Sequence, residues 1–488
     1  MLFNSFGFLV FFIVVTCLYF LLPNRARWSL LLLASCFFYM FFKWEYIFIL
    51  LFTIAVDYYA GIKIESAEGV ERKRKWLILS LIANIGVLAF FKYYNFLNGN
   101  ISGLYSLLGY KNPIPYLHII LPIGLSFHTF QAMSYTIEVF RGHQNAERHF
   151  GIYALYVMFY PQLAAGPIER PQHMLPQFHE RKQFDYDNLI IGLRLMLWGI
   201  FKKVVIADRV AMAVDTVYGD VHEYSGGCLL LAAILYAFQI YCDFSGYSDI
   251  ALGSARVMGF KLMRNFDHPL YSKSVTEFWR KWHISLSTWL YDYLYLPIVI
   301  AKRDWNKFAV AFGLMVTFFI SGLWHGAAWT FVFWGVLHGL AVTYEFLSKK
   351  PRNRLAKVLP NWLYSATCRI LTLAFLVITW IFFRTGSMSQ SFYIIKTAFN
   401  PLAKGYFHLM YRELNDDLTI MGFARWKFFA VMLGVVGFAV ADWLIYKKRQ
   451  FILFQVSQGL RWAGYALLVI CIIFMGVFHS NQFIYFQF

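Results

Sequence analysis

Of the thirteen histidines in this 488-residue chain, His325 stands where an ionisable group is costly to place. It lies in S-G-L-W-H-G-A-A-W (321–329), within a run from Phe308 to Tyr344 that contains no Asp, Glu, Lys or Arg. Ionisable side chains in such stretches mark functional sites by default. Flanking glycines let a backbone or a substrate come close, and Trp324 offers an apolar wall. An imidazole there suits general-base activation of a hydroxyl attacking an already activated acyl donor. The plainer reading is a polar residue bonding across packed helices. His283, in W-R-K-W-H-I-S (279–285), is a second candidate, set against the reading of a snorkelling polar side chain. Trp282, Arg280 and Lys281 beside it are candidate substrate contacts. So are Asp243 and Asp249 in Y-C-D-F-S-G-Y-S-D-I (241–250), for which capping of a broken helix is the simpler reading.

The other histidines have plainer explanations. His143, His149, His173, His179 and His222 lie in polar links and are expected to be exposed, and His268 in Asp-His-Pro reads as a turn. His338 follows His325 by 13 residues, which on one continuous helix would set them roughly 140° apart. Asp442 and Glu138 are taken as interhelical polar contacts. No H-E-x-x-H, P-loop or G-x-S-x-G motif occurs, and none of the six cysteines forms a C-x-x-C pair. No metal site, ATPase or serine hydrolase is therefore expected.

What must position these groups is a membrane. The chain is 59% hydrophobic and 14% charged, whereas a soluble domain is about 25% charged. Its apolar runs are long and continuous rather than alternating, so helices and not a β-barrel must satisfy the backbone. Candidate spans lie near 3–22, 28–42, 45–62, 76–94, 116–138, 150–165, 188–206, 227–243, 307–323, 327–346, 364–383, 427–446 and 461–479. The expectation is an all-α polytopic integral membrane protein of about 11–13 hydrophobic segments, some re-entrant or interfacial. Residues 1–488 read as one membrane-embedded domain, without linker or repeat, and Met1–Asn24 as a retained first span. The net charge of +18 sits in short links, such as Arg72–Lys75, Lys202–Lys203, Lys349–Lys350 and Lys447–Arg449. That is topology and lipid attraction, not nucleic-acid binding.

Two regions depart from simple spans. Thr276–Pro297 reads as a Trp-rich amphipathic helix lying at the interface, with Phe278, Trp282, Leu286, Trp289 or Leu290, and Tyr293 on one face and Arg280, Lys281, Ser285 and Ser287 elsewhere. Phe308–Tyr344 would run about 55 Å as one helix, against a hydrocarbon core of about 30 Å. It must break and return, and Gly322 and Gly326 are the natural place.

At these residues the chain resembles the membrane-bound O-acyltransferases, in particular the bacterial branch that contains the membrane subunit of alginate O-acetylation. The matching stretches are L-P-I-G-L-S-F-H-T-F-Q-A-M-S-Y-T-I-E (121–138), A-A-G-P-I-E-R-P (164–171), D-F-S-G-Y-S-D-I-A (243–251), T-E-F-W-R-K-W-H-I-S-L-S-T-W-L (276–290), S-G-L-W-H-G-A-A-W-T-F-V-F-W-G-V-L-H-G (321–339) and F-I-Y-F-Q-F (483–488). The resemblance implies that His325 is the catalytic histidine and His283 the second family histidine. It implies a ring of helices around a central funnel, in the bacterial inner membrane. The implied donor is acetyl-CoA, a substrate rather than a bound cofactor. The implied acceptor is an exported polysaccharide or a periplasmic SGNH-type acetyltransferase partner. D-alanyl transfer toward teichoic acid is the alternative within the family, and a non-enzymatic polysaccharide transporter the alternative outside it. The chain departs from the family at I-V-I-A-K-R-D (298–304), where a glycine-rich turn is usual, and at His128, where an aromatic is usual.

Overall fold

The computed structural model describes all residues except 120, 165, 403–405, 407–418, 422, 449–456, 479–482 and 485–488. Arg449, most of the polar stretch 402–418 and the end of the F-I-Y-F-Q-F tail therefore lie outside the described residues. The described residues are predominantly helical; Thr419–Ile420 and Phe423–Ala424 pair as one short antiparallel ladder. Among the described residues nine helices are long and apolar enough to cross a bilayer, and Phe6–Leu21 is apolar but 16 residues long. Large apolar side chains such as Phe48, Ile82, Phe429 and Leu433 point outward, the pattern expected where lipid is the solvent.

The span expectations change in three places. Residues 116–138 yield a helix only from Leu125. Residues 150–165 break at Phe159 into Phe150–Met158 and Tyr160–Leu163, with Pro161 at the start of the second helix. Residues 188–206 begin as an α-helix, Tyr186–Ile200, and continue as a π-helix, Phe201–Ala207.

The chain divides into two compact units. The first comprises 1–196 and 250–264. Its helices Tyr46–Ser66, Val70–Leu107 and Leu125–Arg141 meet around a buried carboxylate: Ser80 Oγ donates to Asp57 Oδ1 at 2.6 Å, Asn84 Nδ2 donates to both Asp57 oxygens at 2.9 Å, and Ser80 also reaches Thr136. Burying a carboxylate is tolerable only with such donors in place. The A-A-G-P-I-E-R-P stretch works similarly. Glu169 accepts from the Met263 amide at 2.5 Å and pairs with His173 Nδ1 at 2.7 Å, tying the Pro171–His179 helix to the 261–263 segment. Burial raises the Glu169 carboxyl against these bonds, while the Glu169 hydrogen bond raises the His173 imidazole. His128 is buried, with Nε2 on the Leu163 carbonyl at 3.0 Å.

The second unit comprises 197–249 and 265–487 and carries both candidate catalytic histidines. At its centre is a hairpin of two 19-residue helices, Lys307–His325 and Trp329–Leu347. Each leg is about 28 Å long, close to a full span. The break lies at residues 326–328, past Gly322 rather than at it. Gly322 is helical, and a Cβ there would fall 2.4 Å from the Phe331 carbonyl oxygen. A Cβ on Gly335 would fall 2.3 Å from the Phe318 carbonyl oxygen, so two glycines bring the legs into backbone contact.

Candidate active site

His325 is the last helical residue of the first hairpin leg and is 3% exposed. Its ring stands edge-on to Trp324 and Trp334, with centroids at 5.0 Å from each, and at 5.3 Å from Phe383 of the Asn361–Arg384 helix. Gly326 caps the leg, and a Cβ there would run into the Phe331 ring at 2.1 Å. The turn that presents the imidazole thus tolerates no side chain at that point.

His283 is fully buried, which removes the snorkelling reading. Its backbone is left-handed, φ 45°, a conformation that costs an L-residue roughly 1–2 kcal/mol. The expected single helix over 276–297 is consequently interrupted. Val275–Trp279 ends, His283 turns the chain, and Ile284–Leu290 begins, passing through a π turn at Tyr291–Tyr295 into Leu296–Ala301. The interruption is held from outside by Asn265. Its carbonyl accepts from the Ile284 amide at 3.0 Å, its Oδ1 accepts from Ser285 Oγ at 2.6 Å, and its Nδ2 donates to Ser248 at 3.1 Å. Ser285 is therefore buried, against expectation, whereas Phe278, Trp282, Leu286, Trp289 and Leu290 are buried as expected. The His283 ring packs edge-on against Phe244 at 4.6 Å and lies 6.1 Å from Trp324. Trp324 thus touches both candidate histidines.

His338 comes closer to this centre than helical phase alone allowed, because the hairpin folds back. Trp334 contacts both His325 and His338, the latter at 4.7 Å. Trp279 Nε1 donates to His338 Nδ1 at 3.1 Å, so the His338 proton sits on Nε2, 3.2 Å from Thr379 Oγ1. Both ring nitrogens are engaged, and His338 acts as a fixed prop for Trp334. The W-x-x-x-H spacing of 334 and 338 places the two on one helical face and was the available signal.

A cavity of about 720 Å³ lies between the hairpin and the 274–295 segment. Arg280, Lys349, Arg352 and Glu345 line it, as do Thr317 and Ser321. Ser321 precedes His325 by one helical turn, and its hydroxyl is buried without a hydrogen-bond partner among the described residues. Lys281 is not among the lining residues; it pairs with Glu277 at 2.6 Å. Trp282 packs against Phe266, Phe278 and Trp380 at 5.1, 5.3 and 5.4 Å, a core position.

Asp243 and Asp249 do not cap a broken helix. The Gly226–Val257 helix runs through both. Asp243 lies 2.5 Å from Lys203 and accepts from the Ile484 amide at 2.8 Å, while Asp249 lies 2.8 Å from Lys202. Lys203 also meets Asp208 at 2.8 Å. Lys202 and Lys203 are buried partners rather than surface charges, an arrangement that desolvation demands once either member is inside. Asp442, as expected, bridges segments, through His268 Nδ1 at 2.9 Å; His268 is left-handed, as its turn requires.

The membrane-bound O-acyltransferase family model matches residues 137–355. A peptidoglycan O-acetyltransferase of Helicobacter pylori is 33% identical over the whole of this chain and 98% of its own length. A protein of Pseudomonas aeruginosa named probable alginate O-acetylase is 36% identical over 82% of this chain and 75% of its own length. A teichoic acid D-alanyltransferase of Bacillus subtilis is 29% identical over 54% of this chain and 68% of its own length.

Proposed function

This chain belongs to the membrane-bound O-acyltransferase family as a multi-pass membrane enzyme, and on that premise we propose that it moves an acetyl group from a cytoplasmic thioester, acetyl-CoA, to a hydroxyl beyond the bacterial inner membrane. The hydroxyl belongs to a cell-surface polysaccharide or to a periplasmic SGNH-type partner enzyme that completes the transfer. The observation that carries this reading is His325, enclosed by Trp324, Trp334 and Phe383 at the apex of a helical hairpin.

A general base must begin as the neutral imidazole. In the proposed step a His325 ring nitrogen takes the hydroxyl proton as the oxygen attacks the thioester carbonyl. The carbon–sulfur bond breaks, the sulfur leaves with the electron pair, and the imidazolium returns the proton to it. His283 positions the donor or stabilises the developing oxyanion, sharing Trp324 with His325. Arg280, Lys349 and Arg352, along the cavity, attract the donor phosphates.

The test measures ester-linked acetyl on the surface polymers of a deletion strain complemented with wild type or His325→Ala at equal membrane levels. Restoration by wild type alone supports the reading, and the acetylated polymer identifies the acceptor. Equal restoration by both makes His325 structural and overturns the mechanism. A difference in D-alanine esters instead of acetyl replaces the donor.

A further inference from the structure

Where the Tyr46–Ser66 helix ends and the Val70–Leu107 helix begins, the two enclose a separate groove of about 440 Å³, lined by Lys63, Ser66, Arg72, Lys75, Trp76 and Leu79. Arg72, Lys75, Trp76 and Leu79 recur at three and four residues and so share one face of their helix. Lys63 closes the groove from the last turn of the preceding helix, its Nζ 5.2 Å from the Tyr59 ring centroid. Tyr59 meets Trp76 edge-on at 5.5 Å.

Along the helix from Arg72, the surface changes character abruptly. Arg72 and Lys75 are exposed cations, and within two turns Leu79 and Ile82 are 48% and 64% exposed and apolar. The aromatic pair lies at that boundary, as amphipathic rings do at headgroup level. The acidic residues of this junction do not neutralise the groove: Glu65 is held by Arg148 and the Ala146 amide, and Glu68 and Glu71 do not line the groove.

We infer that this groove binds the phosphate of an anionic phospholipid, with the acyl chains lying along Leu79 and Ile82. A free phosphate would use the three cations but gain nothing from Trp76 and Leu79. Clustered lysine and arginine near the membrane surface attract anionic headgroups.

The experiment is native mass spectrometry of the full chain in detergent, titrated separately with phosphatidylglycerol, phosphatidylcholine and inorganic phosphate. Three variants accompany it: Arg72→Gln/Lys75→Gln, Lys63→Gln, and the control Lys73→Gln/Arg74→Gln. The control removes the same charge from the same helix but outside the groove, and every variant keeps enough basic residues there to preserve insertion. The expected result is retention of phosphatidylglycerol over phosphatidylcholine, weakened about tenfold or more in the groove double variant. Lys63→Gln should weaken it less, and the control should leave it unchanged. Equal retention of the two lipids, or equal loss in groove and control variants, would overturn the site. Inorganic phosphate binding as tightly as phosphatidylglycerol would overturn the lipid assignment in favour of a free anion.

Discussion

His143, His173 and His179, on the links of the first unit, each place a ring nitrogen on a glutamate, at 3.0, 2.7 and 2.8 Å. His325 and His338, in the hairpin of the second unit, are packed among indole and phenyl rings. The side chain is the same, but its surroundings prepare it for opposite work. A glutamate partner fixes the ring as a clamp through one polar contact, while packing among aromatic rings holds it in place by shape rather than by charge. Exposure follows the same division: the link histidines are open to solvent and the hairpin histidines are buried.

The sharpest way to break this contrast is His325→Ala. Turnover should fall about 10²–10⁴-fold with membrane abundance unchanged, measured as acetyl ester formed per enzyme. Next comes His283→Gly, which accepts the left-handed backbone while deleting the imidazole. Activity should fall about 10²-fold with thermal stability preserved; unimpaired activity would leave His283 only its backbone role. Gly335→Leu should separate the hairpin legs, lowering stability by about 1–3 kcal/mol in a thermal-shift assay with a parallel loss of activity. His173→Gln should be mildest. The glutamine amide can still donate to the buried Glu169 carboxylate in place of the ring N–H, so stability should drop by about 1 kcal/mol and acetyl transfer should stay within about twofold of wild type.

The architecture was legible where one local property decided it. The charge-free run Phe308–Tyr344 is too long for one span and had to fold back, which set His325 near a turn. The buried face from Phe278 to Leu290 followed from its periodicity. Legibility failed where a distant segment imposed the geometry. The left-handed turn at His283 is held by Asn265, which no pattern within 276–297 contains. Asp243 and Asp249 resembled caps because Lys202 and Lys203, some forty residues earlier, resembled ordinary topology charges. Gly322 was read as a breaker, but a glycine signals close approach as readily as a bend, and only the partner leg shows which. Ser321, Trp334 and Phe244, which line the cavity or touch the histidines, are residue types too common in membrane helices to stand out alone.

The π-helical stretch Phe201–Ala207 makes the chain's length count as much as its chemistry. A π turn is an α-helix with one residue too many, accommodated without a break. Here the surplus is absorbed where Lys202 and Lys203 reach different aspartates of one neighbouring helix. Removing a single residue from 201–207 would let the stretch relax to ordinary α pitch, keep the flanking helices in phase, and re-aim the side chains within it, Lys202 and Lys203 among them. Lysine and aspartate would both survive that edit and no longer meet. In this part of the chain a one-residue deletion should therefore do more harm than most substitutions.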